Sequence, residues 1–234
     1  MSLNRVRPRD EQVAELTRGQ HLPLTALHQV HLEIIAERLT RVWNELLLER
    51  RSELAFGDEA EVTTLIETRL NHLLTNDPLW EQMVRVVAKG KETISFDGSS
   101  LEKRPDLSIY LTNRNPSFPL VVECKIIDIS SHKQIELYCQ KGLLRFIKGE
   151  YAWAVREAFM LAYVRDGSTI STCLSPFLSK CQSGESDTYH TTALPGPEDG
   201  EALARTNHAR EFHYINQREE GPGPISIWHL WLAS

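Results

Sequence analysis

Residues 104–127, RPDLSIYLTNRNPSFPLVVECKII, decide the reading of this chain. Two extended apolar runs, 107–111 and 120–127, flank a loop rich in Asn and Pro (Asn113, Asn115, Pro116, Pro119), the composition of a connection between neighbouring antiparallel strands. Glu123 and Lys125 are two residues apart on the second run and leave the same face, while Val122, Cys124 and Ile126 face the other way. A carboxylate and an ammonium in such a run are costly unless they are used. A buried ion pair or the solvated face of an edge strand would account for the tripeptide alone. Arg104-Pro105-Asp106 adds a second acid, because proline forces an extended backbone into the first strand and Asp106 can then face Glu123 across the ladder. Two facing carboxylates repel each other, and a divalent cation between them relieves the repulsion. Oxygen ligands of this kind suit Mg2+ or Mn2+, with the Cys124 carbonyl as a further ligand. Lys125 would then stabilise charge growing on a phosphate or orient the attacking water.

Outward from this pair, residues 24–50 space Leu27, Val30, Ile34, Ile35, Leu39, Val42 and Leu46 as one amphipathic helix. A second helix is expected from Gly57-Asp58 to about Leu74, stopped by Asn76-Asp77-Pro78. Residues 92–96 read as a strand, His132 to Ile147 as a helix, and 158–164 (AFMLAYV) as a buried strand. The polar stretch 183–207 reads as a long mobile loop, and 211–215 and 225–232 as closing strands about a Gly-Pro-Gly-Pro turn.

With 234 residues, 41% of them hydrophobic, the chain supports one core of ordinary size. The expected division is a helical N-terminal extension over residues 1–52 and a catalytic domain over 53–234. A net charge of -6 restricts any nucleic-acid contact to a local patch. The absence of a membrane-spanning run or a secretion signal at the N-terminus predicts a cytoplasmic protein with no membrane partner. Cys124, Cys139, Cys173 and Cys181 form no Cys-x-x-Cys pair and read as reduced thiols.

Pro105-Asp106 followed by Glu123-Cys124-Lys125 across a hairpin resembles the PD-(D/E)xK nuclease superfamily. The resemblance covers roughly residues 55–165. It implies an α/β, restriction endonuclease-like core, a central mixed sheet flanked by helices, here with the helical N-terminal extension added. It also implies Mg2+- or Mn2+-dependent hydrolysis of phosphodiester bonds, with DNA as substrate and restriction or phage defence as the setting. The family carries a further acid on the helix before the sheet. Glu59, on the face of Val62, Ile66 and Leu70, is the candidate for a catalytic and metal-binding role, and Glu61 is the reserve; either could instead be a carboxylate favoured by the helix dipole. The helix after the Glu-x-Lys strand supplies Gln140, Lys141 and Arg145 as candidate nucleic-acid contacts, within a basic stretch that includes Lys133 and Lys148. Tyr138, Tyr151 and Trp153 could stack on bases or pack in the core. His208, Arg210 and His213 read as structural or as substrate-side contacts. The alternatives are a non-catalytic nucleic-acid-binding or assembly subunit, with helix 24–50 as its partner surface, and an RNA-cutting toxin. A homodimer or a partner protein is compatible with each.

Overall fold

Eight residues of β3, Leu120–Ile127, alternate so that Val122, Cys124 and Ile126 enter one apolar layer while Val121 and Ile127 enter another. This strand divides the molecule. The structure, a computed structural model, describes residues 8–98, 103–196, 200–214 and 221–234. Among them, seven strands form one mixed sheet: β1 (Val84–Lys89), β2 (Leu107–Leu111), β3, β4 (Glu157–Val164), β5 (Thr191–Ala193), β6 (Leu203–His208) and β7 (Ile225–Ala233), in spatial order β1-β2-β3-β4-β7-β6-β5. β1, β2 and β3 are antiparallel neighbours, β3, β4 and β7 run parallel, and β6 and β5 complete the sheet antiparallel. The protein is thus α/β, a mixed sheet flanked by helices with further helices at the N-terminus. β4 is buried at every position, as expected of a parallel strand covered on both faces.

Helices α1 (Pro8–Leu16), α2 (Gln29–Glu49), α3 (Arg51–Phe56), α4 (Glu59–Leu73) and α5 (Pro78–Met83) precede the sheet. The apolar stripe of α2 (Ile35, Leu39, Val42, Trp43) packs with Val62, Ile66 and Leu70 of α4 over Phe159, Leu161 and Tyr163 of β4. Trp43 stacks on Tyr163 at 5.5 Å and donates to the Ala233 carbonyl at 2.8 Å, so the N-terminal helical region shares the core of the sheet. The opposite face is covered by α6 (Ile135–Tyr138), a π-helical turn (Cys139–Leu143), α7 (Leu144–Ile147) and α8 (Ser175–Gln182).

Several elements differ from the sequence expectation. Helix α2 starts at Gln29 rather than 24, with the His28 side chain as its cap. Residues 92–96 form only an isolated bridge between Thr93 and Lys103, and the edge strand is β1 instead. Asn71 of α4 secures β1, its amide donating to the Val87 carbonyl at 2.8 Å and accepting from the Val87 N–H at 2.9 Å. The stretch 183–207, expected as a loop, contains β5 and most of β6. Pairing with β7 converts the polar LARTNH into a strand whose Ala204, Thr206 and His208 point inward. Residues 211–214 are not a strand, and Ile215 lies outside the described residues.

His208 and Arg210 are structural. The Tyr189 carbonyl only accepts, so His208 donates from Nδ1 (2.8 Å) and its Nε2 accepts from Thr206 (2.7 Å). Thr206 in turn accepts from His229 Nε2 (2.8 Å), whose Nδ1 accepts from the Tyr138 hydroxyl (2.8 Å). The buried chain is fully satisfied with both imidazoles neutral, as burial demands. Arg210 donates to the carbonyls of Gly223, Ala152, Val155 and Pro222, whereas His213 is exposed.

Gly149 turns the chain after α7 with φ +70°, and a Cβ there would stand 2.6 Å from the Phe212 ring and 2.9 Å from that of Phe96. Gly149→Ala is therefore expected to cost about 2–4 kcal/mol, combining left-handed strain with overpacking. Urea unfolding measures this, and a variant as stable as wild type would show that the turn can relax.

Candidate active site

Asp58 starts α4 with a capping box. Its carboxylate accepts from the Glu61 N–H at 2.8 Å, and the Glu61 carboxylate accepts from the Asp58 N–H at 2.8 Å. The box occupies Glu61 and leaves Glu59 as the first-turn acid that turns inward. Glu59 reaches the end of β3, where Oε1 accepts from Lys125 Nζ at 2.9 Å and Oε2 from the Ile126 N–H at 3.2 Å. The β2–β3 register pairs Leu107 with Val122, which brings Asp106 beside Glu123 and Cys124. Asp106 Oδ2 accepts from the Cys124 N–H at 2.7 Å.

Lys125 is the centre of this arrangement. Its ammonium lies 2.9 Å from Glu59, 3.0 Å from Glu123 and 3.5 Å from Asp106, and it also donates to the Cys124 carbonyl. Burial alone would lower the Lys125 pKa, but the three carboxylates hold it well above the ordinary lysine value, so the ammonium stays charged. Arg145 Nη1 adds a second cation to Glu123 Oε1 at 2.8 Å. Glu123 is fully buried, and among the described residues nothing donates a hydrogen bond to its Oε2. The Cys124 thiol lies in the other apolar layer, where burial pushes its pKa up, so its contribution to the site is backbone only.

The donor chemistry fits a hard divalent cation in one respect: a buried carboxylate oxygen without a donor is satisfied by a metal ion. Among the described residues, no group of three or more His, Cys, Asp and Glu is arranged to hold a metal ion. The geometry explains this. Both Glu59 oxygens and the Cys124 carbonyl are engaged by Lys125 or the Ile126 amide, so the residues that fit a cation best are Asp106 and Glu123.

Burial, aided by Asp106, pushes the Glu123 carboxyl up to about 7 against the opposing pull of Lys125 and Arg145. The folded state thus binds this proton more tightly than the unfolded chain, whose carboxyl keeps the ordinary value of 4.5. The resulting stabilisation is complete below that value and is lost as pH rises through 7. His208 acts in the opposite sense. Burial lowers its pKa to about 4, so stability falls as pH drops below 6.5. The two contributions offset each other in the wild type. Relative to wild type, Glu123→Gln is expected to be about 3 kcal/mol less stable at pH 4.5 than at about pH 8. Urea unfolding of both proteins across this range tests it, and parallel profiles would contradict a raised Glu123.

Gln140 and Lys141 are exposed on the π-helical turn, and among the described residues neither pairs with the carboxylates. With Arg145, Lys148, Lys103 and Tyr189 they line a cleft of about 670 Å³. Arg145 belongs to both the cleft and the carboxylate cluster. Tyr138 and Trp153 are core residues, Trp153 donating to the Ile94 carbonyl at 2.7 Å.

Gly142 escapes the sequence reading, and Tyr151 enters it only as a stacking or core aromatic. Gly142 in the π-helical turn faces Met160 and Glu123, where a Cβ would meet Met160 Cε at 2.4 Å and Glu123 Cγ at 3.6 Å. A glycine inside a helical pattern was its only signal. Tyr151, whose hydroxyl bonds Arg145, had no signal beyond its aromatic character. No described helix is long and apolar enough to cross a membrane. No family model, curated protein or solved structure matches the chain.

Proposed function

We propose that this chain is a divalent-metal-dependent nuclease of the PD-(D/E)xK type that hydrolyses phosphodiester bonds in DNA. The observation that carries the reading is the convergence of Glu59 from a helix, Asp106 from the bend before β2 and Glu123 from β3 on the single Lys125 ammonium. A Mg2+ or Mn2+ ion held by Asp106 and Glu123 would supply Lewis acidity toward a phosphate oxygen and a more acidic water. Lys125 keeps a fixed positive charge beside the phosphate without proton exchange at neutral pH, and Glu59 holds that ammonium in place. The cleft carries Lys103, Lys141, Arg145 and Lys148 beside Glu136 and Glu150; Lys103 is paired with Glu150 and Arg145 with Glu123, so the exposed Lys141 and Lys148 are the cations offered to a phosphate backbone. A role in restriction or phage defence follows from the resemblance alone.

A purely assembly role for helix 24–50 finds less support, because the apolar stripe of α2 is spent on the core. The test is incubation with linear, circular and single-stranded DNA and with RNA, in Mg2+, Mn2+ or chelator. Metal-dependent cutting of DNA supports the proposal, and cutting of RNA alone transfers the site to a ribonuclease. No cutting under any condition would overturn it for the isolated chain.

A further inference from the structure

Two successive residues tie the segment that delivers Asp106 to the turn after α7. Lys103 Nζ lies 2.8 Å from Glu150 Oε2, and the Tyr151 hydroxyl donates to the Arg104 carbonyl at 2.9 Å. The same hydroxyl accepts from Arg145 Nη1 at 2.9 Å, and that nitrogen donates to Glu123 Oε1 at 2.8 Å. One phenol oxygen therefore stands between the backbone two residues ahead of Asp106 and the nitrogen that holds Glu123.

The fold places Tyr151 there with little freedom. Gly149 reverses the chain, and the Glu150 and Tyr151 amides return to the Arg145 carbonyl at 2.8 and 3.4 Å. The Tyr151 ring is buried and packs edge-on against Phe146 at 6.0 Å. The packing needs the ring, and among the described residues the hydroxyl bonds Arg104 and Arg145.

Resting on the metal-nuclease reading, we infer that Tyr151 is a positioning residue for the carboxylate pair. It sets the spacing of Asp106 and Glu123 through the Arg104 carbonyl and Arg145, without itself touching cation or phosphate. Arg145 is the middle link of this chain, so its two hydrogen bonds matter as well as its charge.

Calorimetric titration with Mn2+ alone tests the inference without relying on cleavage. Tyr151→Phe keeps the ring and removes the hydroxyl. Its Mn2+ dissociation constant is expected to rise about five- to tenfold, because both hydrogen bonds of the hydroxyl are lost but act on the metal site only through Arg104 and Arg145, while circular dichroism shows the same fold. Arg145→Lys keeps a charge near Glu123 but loses the planar Nη1 whose two N–H bonds are directed at Glu123 and Tyr151, so a similar loss is expected. Because the two residues act in one chain, the double variant is expected to lose no more than the weaker-binding single variant. Wild-type uptake of Mn2+ with unchanged affinity in Tyr151→Phe, or fully additive losses, would overturn the positioning role alone. A wild-type protein that takes up no Mn2+ would overturn the metal reading and this inference together.

Discussion

Lys125→Ala is expected to slow cleavage roughly 10²–10³-fold, the scale seen when one preorganised group that stabilises transition-state charge is removed. The same substitution should also weaken the metal-free fold. Lys125 is the shared counter-ion of Glu59, Asp106 and Glu123, and only 14% of its side chain is exposed. Among the described residues, its loss leaves the buried Glu123 with Arg145 as its charged partner. Stripping one member from a buried ionic cluster costs on the order of 3 kcal/mol, so the variant's unfolding midpoint in chelator should fall measurably. Mn2+ should recover much of that loss, since a bound cation takes over part of the charge neutralisation. Thermal unfolding with and without Mn2+, beside a cleavage assay, separates the two roles. Wild-type cleavage by the variant would remove the lysine from the mechanism. A midpoint unchanged in chelator would mean that the acids do not depend on it.

Asp106→Asn tests the other half of the site. Asparagine retains an acceptor for the Cys124 amide, so the β2–β3 junction should persist. What it removes is charge. If Asp106 and Glu123 are the two carboxylate ligands proposed above, losing one should weaken Mn2+ binding by at least the roughly 10–100-fold associated with outer-shell partners of a metal site. Calorimetry reads this directly, and wild-type affinity in the variant would show that Asp106 serves only as a backbone acceptor.

The acidic centre was legible because its signals are local. Strand alternation alone puts Glu123 and Lys125 on one face, and helix periodicity, together with the resemblance, points to Glu59 with Glu61 in reserve. The choice between Glu59 and Glu61 then rests on a cap, with Asp58 occupying Glu61. What stayed hidden depends on partners distant in sequence. The polar 203–208 segment is a strand only because β7 pairs with it, and β1 is an edge strand that Asn71 secures from a helix. The helix after β3 was expected to be regular. Its π-helical turn instead brings the Cβ-less Gly142 against Met160 and Glu123, an adjustment that periodicity does not register. Arg145 was read as a nucleic-acid contact, and the structure gives it Glu123 and Tyr151 as partners.

The position of β7 between β4 and β6 carries a kinetic consequence. β4 pairs with β3 on one side, but its other edge is matched only by residues 226–233, at the far end of the chain. During synthesis, β4, which is buried at every position, has an open edge until those residues emerge, and an unpaired apolar edge is where one chain recruits another. Completion of the sheet is thus a late, long-range event. The segments that carry Glu59, Asp106, Glu123 and Lys125 are all synthesised before the strand that closes the sheet beside them.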